Sequence, residues 1–223
     1  MIRNAVLSSV ALLTLSACNA PENARTPDVE APATAAQSVP ADAASATVLT
    51  PLGYGPLRIG MTQAEVDAGV GPPPANAAEA EPSECRYYHP PRAPEGVLVM
   101  VENGTLTRLT ATKDATVKTQ DGVGVGDDGE QLKARYGASA TVTPHKYQGA
   151  PSAYVTLWPG KPQLQGAYVT DPTARGLVYE IGQDGKVAFI HAGGPRIHNV
   201  EGCSWHGKSR RRIARLAIRR RLV

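Results

Sequence analysis

One motif occurs twice in this chain, and it limits how the chain can fold more than any other feature. Residues 57–71 have a counterpart 66 residues later, at 123–137. In each copy two apolar residues at alternate positions are followed by a glycine. An N-cap residue (Thr62 or Asp128) comes two positions after that glycine, and a Glu or Gln comes three positions after the N-cap residue. This order is typical of a helix start with a capping box, and the glycine that closes each copy is typical of a helix end. The motif therefore predicts two copies of one helix-led unit.

Strands are predicted after each helix. The dipeptides Asn103-Gly104 and Asp184-Gly185 favour tight hairpins, and the leucines after the first dipeptide do not alternate strictly, which indicates a bulge. We therefore expect an α+β fold of two tandem repeats, each a helix or helix pair followed by an antiparallel sheet. The predicted strands are 85–89, 96–102 and 105–111 in the first repeat, and 154–158, 176–181 and 186–191 in the second.

The N-terminus has the features of an export signal. Residues 1–17 contain Arg3, an apolar run and a small-residue site before Cys18, a pattern typical of a signal peptide and too short to span a bilayer. The sequence Leu-Ser-Ala-Cys18 resembles the lipobox of bacterial lipoproteins, although a secretory signal with a chance cysteine is the alternative. The resemblance implies cleavage before Cys18 and acylation of its thiol and new amine, which together anchor stably. Because Asn19 is not the Asp that favours inner-membrane retention, we expect outer-membrane attachment.

Composition divides the rest of the chain. Residues 19–50 contain ten Ala, four Pro and no aromatic residue, so 18–51 is predicted to be a lipidated, disordered tether. Repeat 1 is then 52–119 and repeat 2 is 120–203. The tail, 204–223, has one Lys, seven Arg and no acidic residue, in a chain whose net charge is +3. A disordered, appended tail is favoured over a lipid-surface helix or a nucleic-acid contact.

Several motifs resemble a known family. The run from Leu57 to Val66, Leu-Arg-Ile-Gly-Met-Thr-Gln-Ala-Glu-Val, resembles the SmpA/OmlA (BamE) lipoproteins, and its duplication is similar to the tandem-repeat architecture of the β-lactamase-inhibitor proteins. Cys85-Arg-Tyr-Tyr and Val200-Glu-Gly-Cys203 are similar to motifs of other proteobacterial lipoproteins. The resemblance covers about 57–203. It implies a binding role, and no more specific function is carried over.

Two cysteines remain once Cys18 is assigned to lipidation. Cys85 and Cys203 would lie in an oxidising compartment, where a disulfide joining the two repeats is one interpretation and two unpaired thiols are the other. Neither cysteine is part of a Cys-x-x-Cys motif, so redox catalysis is not predicted.

Catalysis and metal binding find little support in the sequence. His198, Cys203 and His206 have an unfamiliar spacing for zinc and lack a fourth ligand, so the histidines are interpreted as strand-end and surface residues. There is no G-x-S-x-G motif. We predict no enzyme activity, no cofactor and no metal site.

The strand aromatics give the only candidate binding surface. In 154–158, Tyr and Trp alternate with Val155 and Leu157, so the two sets lie on opposite faces of a strand. If helices cover the Val/Leu face, the concave face presents aromatics for protein or glycan contact; buried packing aromatics are the alternative. The candidate residues are Tyr87, Tyr88, Tyr154, Trp158 and Tyr179.

Together these features predict a periplasm-facing, outer-membrane-anchored lipoprotein without catalytic activity. Its expected partners are the membrane, through the lipid anchor, and another envelope protein, in binding or in envelope assembly. Inhibition of an envelope enzyme and glycan binding are the alternatives, and nucleic acid is not an expected partner.

Overall fold

The computed structural model describes residues 47–75, 84–165 and 168–203. The predicted signal peptide, Cys18, most of the tether and the basic tail lie outside these ranges. Two α-helices are present in them, α1 (Gln63–Val70) and α2 (Gly129–Tyr136), with 3₁₀ helices at Gly137–Ser139 and Pro195–His198. The strands in the described ranges are β1 (Gly53–Tyr54), β2 (Leu57–Arg58), β3 (Cys85–Tyr88), β4 (Val97–Glu102), β5 (Thr105–Ala111), β6 (Ala140–Pro144), β7 (Ala153–Leu157), β8 (Leu164–Gln165), β9 (Tyr168–Val169), β10 (Gly176–Ile181) and β11 (Val187–Gly193).

Seven of these strands form one antiparallel sheet in the order β3-β4-β5-β11-β10-β7-β6. Its centre is the pairing of β5 with β11, where Thr110 lies opposite His191 and Thr110 Oγ1 is 2.9 Å from His191 Nδ1. The short pairs β1-β2 and β8-β9 form two further two-stranded sheets.

The predicted α+β fold of two helix-plus-sheet repeats is therefore wrong. The described chain is mostly β, with a single seven-stranded sheet, two small sheets and two helices of eight residues each. The physical reason lies at β5 and β11. Each is the last strand of its hairpin and would leave a row of unpaired backbone groups at an edge, whereas pairing them satisfies both rows at once.

The predicted helix starts and ends are confirmed in both copies, and the predicted capping box is present in the first. Thr62 Oγ1 accepts from the backbone N–H of Glu65, and Glu65 Oε2 accepts from the backbone N–H of Thr62 at 2.8 Å, which completes the capping box of α1. Asp128 Oδ1 caps α2 by accepting from the backbone N–H groups of Glu130 and Gln131, both at 3.0 Å. Glycines follow both helices as C-caps.

The hairpins and the bulge are also confirmed. At the turn between β4 and β5, Asn103 and Gly104 both have positive φ angles, 48° and 76°. Val101 lies opposite Leu106 but Met100 lies opposite Arg108, so β5 has one extra residue. The β10–β11 hairpin has a register shift of the same kind. In β5 the bulge puts Arg108 on the opposite face from Leu106, an assignment that simple alternation would not give.

Both faces of the sheet are covered. One face packs against α1 and α2 through Val66, Val70 and Leu132, with alternate strand residues that include Val99, Leu109, Val155, Tyr179 and Ile190. The other face is crossed by residues 194–203, here called the strap, whose 3₁₀ helix contacts β5, β9, β10 and β11. Among the described residues, no helix combines the length and apolar composition that crossing a bilayer requires.

Candidate functional site

The predicted disulfide is present and closes the strap. Cys203, the last residue of the strap, is bonded to Cys85 in β3, across 118 residues of chain. The strap therefore runs from the central strand β11 to the edge strand β3 and is covalently fixed at its far end. The alternative of two unpaired thiols is wrong, and Cys203 is not free to serve as a zinc ligand.

Two of the candidate aromatic residues lie in the core on the helix side of the sheet. Tyr88 and Tyr179 both belong to the cluster that packs against α1 and α2. The Tyr179 hydroxyl lies 3.0 Å from the hydroxyl of Tyr136 in α2, and burial raises the pKa of Tyr179. These tyrosines are packing residues, so they do not belong to a binding surface.

The other three candidates lie on the strap side. Tyr154 and Trp158 are buried in a second apolar cluster with Val178 and with Ile197 of the strap. Tyr87 is 36% exposed, and its ring lies 5.1 Å from the guanidinium carbon of Arg108. As predicted, Val155 and Leu157 lie on the opposite face of the sheet from Tyr154 and Trp158. The expectation that the aromatic face is open is wrong, because the strap covers it.

Polar contacts hold the strap to the sheet along its length. Arg108, only 2% exposed, donates from Nη1 to the backbone carbonyl of Asn199 at 2.7 Å. Arg196 donates from Nε to Glu102 Oε2 at 2.9 Å. Glu201 accepts from Lys146 Nζ at 3.2 Å and from the Tyr147 hydroxyl. The strap is thus an integral layer of the fold.

A cavity of about 550 Å³ opens where the strap meets the β6 side of the sheet. Its lining comes from the end of β6, from β7, β9 and β10, and from the 3₁₀ helix of the strap with the residues that follow it. We call it the strap cavity, lined by Tyr154, Tyr168, Val178, Ile197, His198 and Val200. Its volume lies within the range of small-molecule and side-chain binding pockets, and its lining mixes apolar groups with a few polar ones, as such pockets do.

Unpaired polar atoms lie beside the strap cavity. Trp158 Nε1 and His198 Nε2 are buried without a hydrogen-bond partner among the described residues, and the two rings are 5.6 Å apart. His198 also makes an edge contact with Tyr168 at 5.5 Å, and burial lowers the pKa of His198. A buried ring nitrogen without a partner is unfavourable, and of these two residues His198 is the one that lines the cavity.

A separate polar network joins β10 and β11 to the residue that follows β6. His145 Nε2 is 3.1 Å from Glu180 Oε1, and His191 Nε2 is 3.7 Å from Glu180 Oε2, which is beyond hydrogen-bonding distance. Burial lowers the pKa of His191 to about 4. Burial acts to raise the pKa of Glu180, but the two histidines outweigh it and the net shift is downward. The interpretation of the histidines as strand-end and surface residues is therefore wrong in part: His145 does follow the end of β6, but it and His191 are buried rather than on the surface.

The strap and its anchors in the sheet, Arg108 and Glu102, were missed by the sequence analysis. One signal could have found the strap: a Cys85–Cys203 bond requires the chain to return from β11 to β3 across β5 and β4. In the described ranges, no three His, Cys, Asp or Glu side chains are grouped so as to hold a metal ion. His206 lies outside those ranges.

Comparisons with models of known families, with curated proteins and with solved structures find no match for this chain. The resemblance to the SmpA/OmlA lipoproteins therefore stays a prediction from the sequence motifs.

Proposed function

We propose that this protein is an outer-membrane-anchored periplasmic lipoprotein that acts without catalysis, by binding another envelope protein or supporting envelope assembly. The observation that carries the binding role is a pair of exposed tyrosines at the strap cavity. Tyr168 lines the cavity and is 61% exposed, and Tyr147, next to the lining residue Lys146, is 62% exposed.

Exposed tyrosines beside a preformed cavity are typical of protein contact surfaces. A tyrosine ring supplies a large apolar contact area while its hydroxyl remains able to form hydrogen bonds. Partner side chains that enter a well-packed pocket provide most of the binding energy in many interfaces. Here the walls formed by Val178, Ile197 and Val200 would accept an apolar side chain. Inhibition of an envelope enzyme is one form that such binding would take.

The first test is recovery of partners from envelope membranes after chemical crosslinking. We expect specific envelope proteins to co-purify with the wild type, and the same proteins to be depleted by Tyr168→Ala. Val142→Ala is the matched control, because Val142 is 49% exposed and pairs with Val155 on the helix-side face. Equal recovery with the tyrosine variant and with the control would contradict the proposed surface. A Cys18→Ala form tests the anchor separately, since it should lose membrane attachment.

Glycan binding is a second candidate, favoured by His198, which lines the strap cavity beside the Tyr168 ring and whose Nε2 has no hydrogen-bond partner among the described residues. A saccharide hydroxyl would form a hydrogen bond with His198 Nε2 while the sugar stacks on the Tyr168 ring. Quenching of tryptophan fluorescence by soluble cell-wall saccharides, lost in His198→Ala and kept in Val142→Ala, would favour this candidate over protein binding.

A further inference from the structure

A second cavity lies away from the strap cavity, on the side of the fold where the described chain begins. Its volume is about 640 Å³, within the range of small-molecule pockets. We call it the arginine cavity, lined by Leu52, Arg58, Gln120, Pro159, Asp171 and Arg175. It brings together the loop before β1, the loop after β7 and the loop before β10.

Two guanidinium groups in this cavity are fixed in the same way. Arg58 Nη1 donates to the backbone carbonyls of Gly55 and Leu57, at 2.6 and 2.7 Å. Arg175 Nη1 donates to the backbone carbonyls of Pro172 and Ala174, both at 2.8 Å. Main-chain carbonyls hold each guanidinium in place, and in each arginine Nη1 is the nitrogen that donates to them.

The remaining donors of both arginines are available to a ligand. Within the described ranges, neither Arg58 nor Arg175 forms an ion pair, and Nε and Nη2 of each make no hydrogen bond to protein. Burial lowers the pKa of Arg58, with no acidic neighbour to offset it. The Nε–Nη2 edge of a guanidinium matches the two oxygens of a carboxylate or phosphate.

Asp171 is the one acidic group that lines the arginine cavity. Its Oδ1 accepts from the backbone N–H and the hydroxyl of Thr173, at 2.8 and 2.7 Å. These hydrogen bonds lower the pKa of Asp171, and the nearby charge of Arg175 lowers it further. The lining therefore has two cations against one anion, and it attracts a negatively charged ligand. Leu52, 60% exposed, and three prolines add apolar surface to the same cavity.

We propose that the arginine cavity binds a small molecule with a carboxylate or phosphate group and an apolar body, the oxyanion being held by Arg58 and Arg175. The two arginines orient the oxyanion, and Leu52 with Pro159 contacts the apolar part. This site is independent of the tyrosine surface proposed above, so either assignment can fail without the other.

The test uses the full chain and observes the side-chain Nε–Hε signals of its arginines by NMR. The probes are inorganic phosphate, N-acetylleucine and, as the uncharged matched probe, N-acetylleucinamide. We expect phosphate and N-acetylleucine to shift the Arg58 and Arg175 signals in a saturable way and the amide to leave them unchanged. If these two signals do not move at saturating phosphate and N-acetylleucine, the proposal is overturned.

Variants distinguish binding in this cavity from binding to the basic tail, whose arginines also attract anions. Arg58→Gln with Arg175→Gln should weaken N-acetylleucine binding about ten-fold or more, the usual effect of losing charge-assisted hydrogen bonds. Arg92→Gln is the matched control, because Arg92 also donates to backbone carbonyls, those of Asp67 and Ala68, but does not line the cavity.

One further variant keeps both arginines. Gly160 lines the cavity, and a Cβ there would meet no atom within 4 Å. Gly160→Glu places a carboxylate beside the arginines without removing a structural contact, so it should reduce N-acetylleucine affinity even if the double variant folds poorly. Unchanged affinity in Gly160→Glu, equal to that of Arg92→Gln, would overturn the proposal.

Discussion

His191 should make the stability of the folded protein fall as the pH is lowered. Its ring is buried among Glu180, Arg108, His198 and Thr110, and burial lowers its pKa from 6.5 to about 4. Above about pH 7 the ring is neutral in the folded and unfolded chains alike. As the pH falls below 6.5, the unfolded chain binds a proton that the folded protein does not accept until about pH 4, so stability is lost over this interval.

The loss of unfolding free energy follows from the width of this pH interval. A tenfold difference in proton affinity is worth ~1.4 kcal/mol, so a pKa lowered from 6.5 to about 4 corresponds to about 3 kcal/mol of unfolding free energy. Glu180 has its pKa lowered from 4.5, so its own contribution is lost at lower pH than most of the His191 effect.

The assay is urea unfolding at a series of pH values for the wild type, His191→Gln and His89→Gln. We expect the wild type and His89→Gln, which changes an exposed histidine, to lose stability in parallel. His191→Gln should be less stable near neutral pH because the Thr110 contact changes, yet its stability should vary about 3 kcal/mol less than that of the wild type between about pH 7 and pH 4. Parallel curves for the wild type and His191→Gln would refute the reasoning.

Three further changes test the strap and the helix cap. Replacing Cys85 and Cys203 by Ser should cost up to about 5 kcal/mol in urea unfolding, because the bond closes a loop across a sequence separation of 118 residues in the unfolded chain; a loss below roughly 1 kcal/mol would contradict this. Ile197→Ala should cost roughly 2–5 kcal/mol by the same assay, whereas an unchanged midpoint would show that Ile197 is not a core contact. Thr62→Ala should lower stability by about 1 kcal/mol, measured by thermal unfolding, and a neutral result would argue against the capping box.

The features that the sequence predicted correctly are those set by neighbouring residues. Thr62 and Asp128 cap helices because their side chains reach backbone N–H groups two or three residues ahead. Asn103 and Gly104 form a turn because both adopt positive φ. Each of these interactions is complete within a few residues, so a local pattern is enough to reveal it.

The features that the sequence did not reveal depend on distant pairings. The contact between Thr110 and His191 joins strands 81 residues apart, and neither residue shows a pattern that marks its partner. Arg108 is buried because the bulge places it on the strap side of the sheet, where the backbone carbonyl of Asn199 accepts a hydrogen bond from it. The strap has no apolar periodicity, so its role in covering Tyr154 and Trp158 depends on the completed sheet beneath it.

The most direct test of the proposed function is photo-crosslinking in living cells from the edge of the strap cavity. A photoreactive phenylalanine analogue would replace Tyr168 in one strain, and Val142, on the opposite face, in another. The account predicts a discrete crosslinked product with an envelope protein from position 168 and none from position 142. The same products from both positions, or none from position 168 when the protein is present at its normal level, would contradict a binding role for this surface.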